Sequence, residues 1–181
     1  MNKTFRTEFR RLFLLEGLPE GVKPADEHLQ IFDNYIENTR LCLRSVRKPH
    51  TKEWTYILRQ LQYNQDFSKI EIAEIYLNEA EHSVFEIFEG RKISENERAE
   101  TNEIRLNRYV FNNLEIDVFL GKEIWGLCLA TARFKTLKAM QMFEKPAFAV
   151  LEVTNNEFFI GKNLIGKTFA DVQKKFADTL S

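Results

Sequence analysis

Histidine and cysteine are scarce in this chain, three and two among 181 residues, and their placement excludes the chemistries that depend on them. His28, His50 and His82 have no serine or acid at motif spacing, so nothing points to a histidine catalyst. Cys42 and Cys128 lie in apolar or strand-like runs without the close spacing of a zinc knuckle or a redox pair, and buried free thiols are expected. Charge of one sign is missing as well: 26 basic and 27 acidic residues give a net charge of −1. No general pull toward nucleic acid or an anionic membrane follows from that balance. No run approaches the roughly 20 apolar residues of a membrane-spanning helix, and the first residues carry no basic-then-apolar leader, so a cytoplasmic protein is expected. Repeats, low-complexity tracts and linker-like shifts in composition are absent too. Residues 1–181 are therefore expected to form one domain.

What the chain does have is many short alternating segments and 16 phenylalanines. Alternation predicts strands over 5–15, 29–37, 40–46, 54–61, 69–75, 103–111, 114–120, 127–134 and 147–154. Helical spacing appears over 78–89, 135–143 and the tail, 170–180. So many strands against few helices predict an α+β fold, an antiparallel β-barrel of about eight strands with peripheral helices packed on its outside.

The most telling run is Leu114-Glu115-Ile116-Asp117-Val118-Phe119. Period two puts Glu115 and Asp117 on one face and Leu114, Ile116 and Val118 on the other. A barrel with a charged interior is written this way. The expected inward faces carry Glu8 and Arg10; Arg40 and Arg44; Arg59; Lys69 and Glu71; Arg108; Glu115 and Asp117; Arg133; and Glu152. A closed barrel must fill its centre or hydrate it, and a mixed ring of arginine and carboxylate suits a phosphate chain, with or without metal.

Residues 8–14 read Glu-Phe-Arg-Arg-Leu-Phe-Leu. The basic strand Arg40-Leu-Cys-Leu-Arg44 follows, then the hairpin partner reaching Arg59 and the run Ile104-Arg-Leu-Asn-Arg108-Tyr. Glu115-Ile-Asp-Val-Phe, Gly126-Leu and Leu151-Glu-Val-Thr complete the series. In this order the motifs resemble the CYTH superfamily, the triphosphate tunnel metalloenzymes, over nearly the whole chain. Bacterial members of that family open on Glu-x-Glu-x-Lys-Phe-Leu. The resemblance implies a tunnel in which basic residues hold a linear triphosphate and glutamates hold Mg²⁺ or Mn²⁺ for in-line phosphoryl transfer.

Departures from the family pattern bear on the metal. Arg10 stands where the opening motif has its second glutamate, Leu12 where it has lysine, and Leu106 replaces another lysine. After Gly126-Leu127 the family writes Ala-Glu-x-Glu, whereas this chain reads Ala130-Thr-Ala-Arg133. Of the glutamates matched to the metal site, only Glu8 and Glu152 are left. An arginine about 4 Å from a unit positive charge costs about 4 kcal/mol at an effective dielectric near 20. Arg10 and Arg133 thus make a metal site unfavourable.

Three readings stay open. In the leading one the tunnel is catalytically impaired and has no cofactor. It binds an anionic small molecule, such as polyphosphate or a triphosphate, through Arg10, Arg40, Arg44, Arg59, Arg108 and Arg133. In the second, the arginines pair with Glu8, Glu71, Glu115, Asp117 and Glu152 in a closed ionic core, and the protein is a scaffold or interaction partner. In the third it is an active Mg²⁺- or Mn²⁺-dependent inorganic triphosphatase whose metal sits on Glu8 and Glu152. A homodimer is compatible with each. Residues 161–168 formally match the phosphate-binding Gly-x-x-x-x-Gly-Lys-Thr loop, but an antiparallel barrel lacks the parallel strand that must precede it.

Overall fold

The structure, a computed structural model, describes residues 3–85 and 102–180. Nine strands lie in chain order: β1 Lys3–Leu15, β2 Leu29–Tyr35, β3 Leu41–Arg47, β4 Trp54–Tyr63, β5 Lys69–Leu77, β6 Glu103–Phe111, β7 Leu114–Phe119, β8 Cys128–Phe134 and β9 Leu151–Glu152. Among the described residues three helices accompany them, α1 Glu79–Phe85, α2 Leu137–Gln141 and α3 Phe169–Leu180.

The first eight strands close on themselves in the order β1-β5-β4-β3-β2-β6-β7-β8-β1, and every pairing is antiparallel. Closure leaves no free edge. The length of β1 makes it possible: residues 3–9 pair with β5, residues 9–15 with β8, and Phe13 and Leu14 with β9 on the other side. The β6–β7 connection is a two-residue hairpin through Asn112 and Asn113, both at positive φ (50° and 62°). Asparagine tolerates that conformation, and the mirror-image turn it allows matches the twist of the strands.

Two apolar clusters hold the barrel. One fills one end of the interior with Leu12, Leu14, Ile31, Leu106, Phe119 and Leu129, sealed by Phe159, Leu164 and Val172 from the C-terminal segment. The second lies outside the wall, where Phe13, Leu114, Ile116, Cys128 and Ala130 pack under Leu18, Val22, Phe143 and Phe148. β1 supplies both, its even residues facing in and its odd residues facing out.

The expected architecture is observed, and several boundaries move. The helix expected at 78–89 is described only as Glu79–Phe85, because 86–101 lies outside the described residues. The helix at 135–143 contracts to Leu137–Gln141, with the Thr136 side chain accepting the Ala139 N–H. The strand expected at 147–154 contracts to two residues: Pro146 closes a turn onto the Ala149 N–H, and only then does the chain run beside Leu14 and Leu12.

Candidate functional site

Alternation brings the charged residues of all eight barrel strands onto the inner face. Arg108 of β6 sits directly opposite Asp117 of β7 and binds it with two hydrogen bonds of 2.7 Å. A further bond of 2.8 Å runs from Arg108 to Glu115. Arg133 of β8 takes both oxygens of Glu115 at 2.9 Å and also bonds Glu8. From Glu8 the chain of pairs continues through Arg6 (3.0 Å) to Glu74 (2.6 Å), which accepts from Arg59 at 2.8 Å. Across the barrel, Arg44 grips Asp33 with two bonds of 2.6 Å. These forked guanidinium–carboxylate pairs are the strongest hydrogen-bonded geometry available to the two groups.

The pairing reshapes the acids. Burial would raise the Glu115 carboxyl, yet Arg108 and Arg133 more than offset it and hold it down to about 2. Burial likewise opposes the ionised forms of Asp33 and Arg44, and their mutual contact outweighs it on both sides, lowering the acid and raising the base.

Arg10 differs from the other arginines. Its Nε donates to the Phe67 carbonyl at 3.2 Å and its guanidinium lies over the Tyr63 ring, 5.1 Å from the centroid. Its Nη2 is sealed from solvent and has no hydrogen-bond partner among the described residues. Directly across the β1–β8 pairing stands Arg133, a like charge, an arrangement that destabilises a strand pair. Burial and that neighbour push the Arg10 guanidinium toward deprotonation. Among the described residues, six arginines, Arg6, Arg10, Arg44, Arg59, Arg108 and Arg133, thus meet five carboxylates, Glu8, Asp33, Glu74, Glu115 and Asp117. Arg10, Arg44, Arg59, Arg108 and Arg133 line a cavity of about 80 Å³ together with Asp33, Asp117, Tyr35, Tyr63 and Thr131.

Four expected tunnel residues lie elsewhere, Lys69 on the same outer face as Glu71. Arg40 is exposed at the rim, bonded to Gln62 at 2.7 Å, and borders a separate pocket. Glu71 is on the outer face, because Ile70 and Ile72 of β5 turn inward; the acid of β5 that faces in is Glu74. Glu152 is outside the wall with Arg11, whose Nε it accepts at 2.9 Å beside the Phe13 and Phe143 rings. Glu8 and Glu152 consequently sit on opposite faces of the wall. Among the described residues no group of three or more His, Cys, Asp or Glu side chains is arranged to hold a metal ion.

Sequence reasoning missed Arg6, Asp33, Glu74, Tyr35 and Tyr63. Asp33 carried a signal, since it alternates with Ile31 and Tyr35 on one face of β2. The Gly161–Thr168 run is no phosphate loop: Gly161–Leu164 forms a 3₁₀ turn that drives Leu164 into the core, and Thr168 caps α3 through Asp171. A Cβ at Gly161 would overlap the Tyr35 hydroxyl, so the glycine lets this turn press against the cavity wall. Cys42 and Cys128 are buried and free, and burial pushes the Cys128 thiol up to about 12.

No family model and no curated protein matches the sequence. Among solved structures, "the crystal structure of the inorganic triphosphatase NE1496" superimposes with a TM-score of 0.53 at 20% identity, covering 88% of this chain and 95% of that one. "The crystal structure of the hypothetical protein NE1496" gives the same score and identity over 89% and 99%. At that identity the likeness establishes a shared fold, a closed eight-stranded antiparallel barrel.

Proposed function

We propose that this chain, which has the fold of the CYTH triphosphate tunnel proteins, binds a phosphate-type anion inside its barrel through arginine, without a metal cofactor. The observation that carries this reading is Arg10, whose buried Nη2 has no partner among the described residues, beside an ion-pair network in which six arginines meet five carboxylates. An uncompensated buried charge costs several kcal/mol. An oxyanion seated against Arg10 removes that cost and separates it from Arg133.

The remaining arginines fix the field around the ligand. Arg44, Arg59, Arg108 and Arg133 are held by carboxylates, so their guanidinium planes are set before anything binds. The same pairing argues against a metal-dependent triphosphatase. To ligate a cation, Glu115 would have to release both forks of Arg133 and its bond to Arg108. Of the two carboxylates implied for the metal, Glu8 is bonded to Arg133 and Arg6, and Glu152 faces away behind Arg11. The shared fold with NE1496, an inorganic triphosphatase, supports phosphate chemistry as the ligand class. No residue is assigned a catalytic role.

Phosphate release from tripolyphosphate, measured with Mg²⁺, with Mn²⁺ and with EDTA, tests the proposal alongside calorimetric titration of tripolyphosphate and orthophosphate. Binding of at least one of them in EDTA without metal-dependent release is expected. Metal-dependent release would overturn the reading in favour of hydrolysis.

A further inference from the structure

The cavity beside Arg10 is small. Its volume is about 80 Å³, and a water-sized group needs about 10 to 15 Å³ on this measure, so it has room for roughly five to eight such atoms. One phosphorus with four oxygens fits within it; a chain of three phosphoryl groups would extend beyond it.

Charge leads to the same size. Among the described residues the interior holds a single arginine beyond its carboxylates, and that arginine is Arg10. An anion of one or two charges balances it, whereas a linear triphosphate brings several more negative charges into a wall whose other arginines are already neutralised.

Geometry supplies the donors. Arg10 is fixed from behind by the Phe67 carbonyl and the Tyr63 ring, and its guanidinium, whose Nη2 has no partner among the described residues, lines the cavity. Tyr35, Tyr63 and Thr131 line the same space. Burial pushes both tyrosines above their ordinary range, so their hydroxyls stay protonated and able to donate. A planar guanidinium with hydroxyls around it suits a tetrahedral oxyanion.

We infer that the interior site takes one compact tetrahedral oxyanion, a single phosphate group, seated on Arg10 between Tyr35 and Tyr63. The inference rests on the anion-binding reading above and narrows it from phosphate chemistry in general to one group. The phosphate is either the free ion or the end of a small ester.

The test is calorimetric titration in EDTA of orthophosphate, pyrophosphate, tripolyphosphate and glycerol phosphate into the wild-type protein, Arg10→Gln and Lys48→Gln. Lys48 sits on an exposed hairpin, paired with Glu53, and is not among the residues that line the cavity. Orthophosphate is expected to bind one to one, at least tenfold tighter than tripolyphosphate. Arg10→Gln should weaken it at least tenfold, and Lys48→Gln should leave it unchanged. If Arg10→Gln does not fold, Arg10→Lys keeps the charge, loses the fork, and is expected to weaken binding as well. Glycerol phosphate binding like orthophosphate supports the ester form, and its exclusion supports the free ion. Tripolyphosphate binding tenfold tighter than orthophosphate would overturn the single-group site and leave anion binding standing. Full orthophosphate affinity in Arg10→Gln would overturn the seat on Arg10, and no heat from any ligand would overturn both readings.

Discussion

At Glu115, hydrogen bonds from two arginines hold a half-buried carboxylate ionised against the cost of burial. Its folded value of about 2 lies below the ordinary 4.5, so the stabilisation is complete above about pH 4.5 and is lost as pH falls toward 2. That difference amounts to about 3 kcal/mol at neutral pH. Urea midpoints followed through this range should drop in the wild type, and in Glu115→Gln the drop should shrink by about that amount. An equal drop in both proteins would contradict the pairing. Arg10 behaves in the opposite sense, because it is a buried charge that the fold does not neutralise. In anion-free buffer Arg10→Met should raise stability by about 1 to 3 kcal/mol, as replacing buried charge with packed apolar volume does elsewhere. Orthophosphate should then stabilise the wild type, by about 2.7 kcal/mol at a hundred times the dissociation constant, and leave Arg10→Met unmoved. A midpoint lower in Arg10→Met than in the wild type would show that Arg10 is structural.

Among the elements, β7 was readable because its alternation is strict. Glu115 and Asp117 face in, and Leu114 and Ile116 pack under the outer segments, as the sequence implies. β5 was misread for a physical reason. Its acids at 71 and 74 fall on opposite faces, and alternation from Lys69 pointed the wrong set inward. The isoleucines at 70 and 72 take the interior positions, where exposure is 3% and 1%. β9 misled because two residues placed beside β1 have too little length to show a period. Pairing partners were less legible still. That Arg133 would meet Glu8, 125 positions away, depends on β1 crossing from β5 to β8, which no local pattern encodes. The sealed end of the barrel is another long-range product: Leu164, 1% exposed, packs into it from a 3₁₀ turn. Leu164→Ala should cost about 2 to 5 kcal/mol in urea unfolding. A cost under about 1 kcal/mol would mean that the turn is not a plug.

For the whole molecule, the fold and the charge pattern are one design. Closing eight strands removes the edges and leaves an interior that an apolar cluster fills at one end. The other end carries arginines and carboxylates that survive burial because they pair. Glu8, Glu115 and Asp117 pair with Arg108 and Arg133, Glu71 and Glu152 lie outside the interior, and among the described residues Arg10 keeps a buried nitrogen without a partner. Among the described residues, too, no helix is long and apolar enough to cross a membrane. The central claim is that this cation, and not a metal, receives the ligand. Its most direct test is calorimetric titration of orthophosphate into the protein, once in EDTA and once in Mn²⁺. Equal affinity in the two buffers is the predicted result. Binding that appears only with Mn²⁺, or no binding in either buffer, would contradict the account.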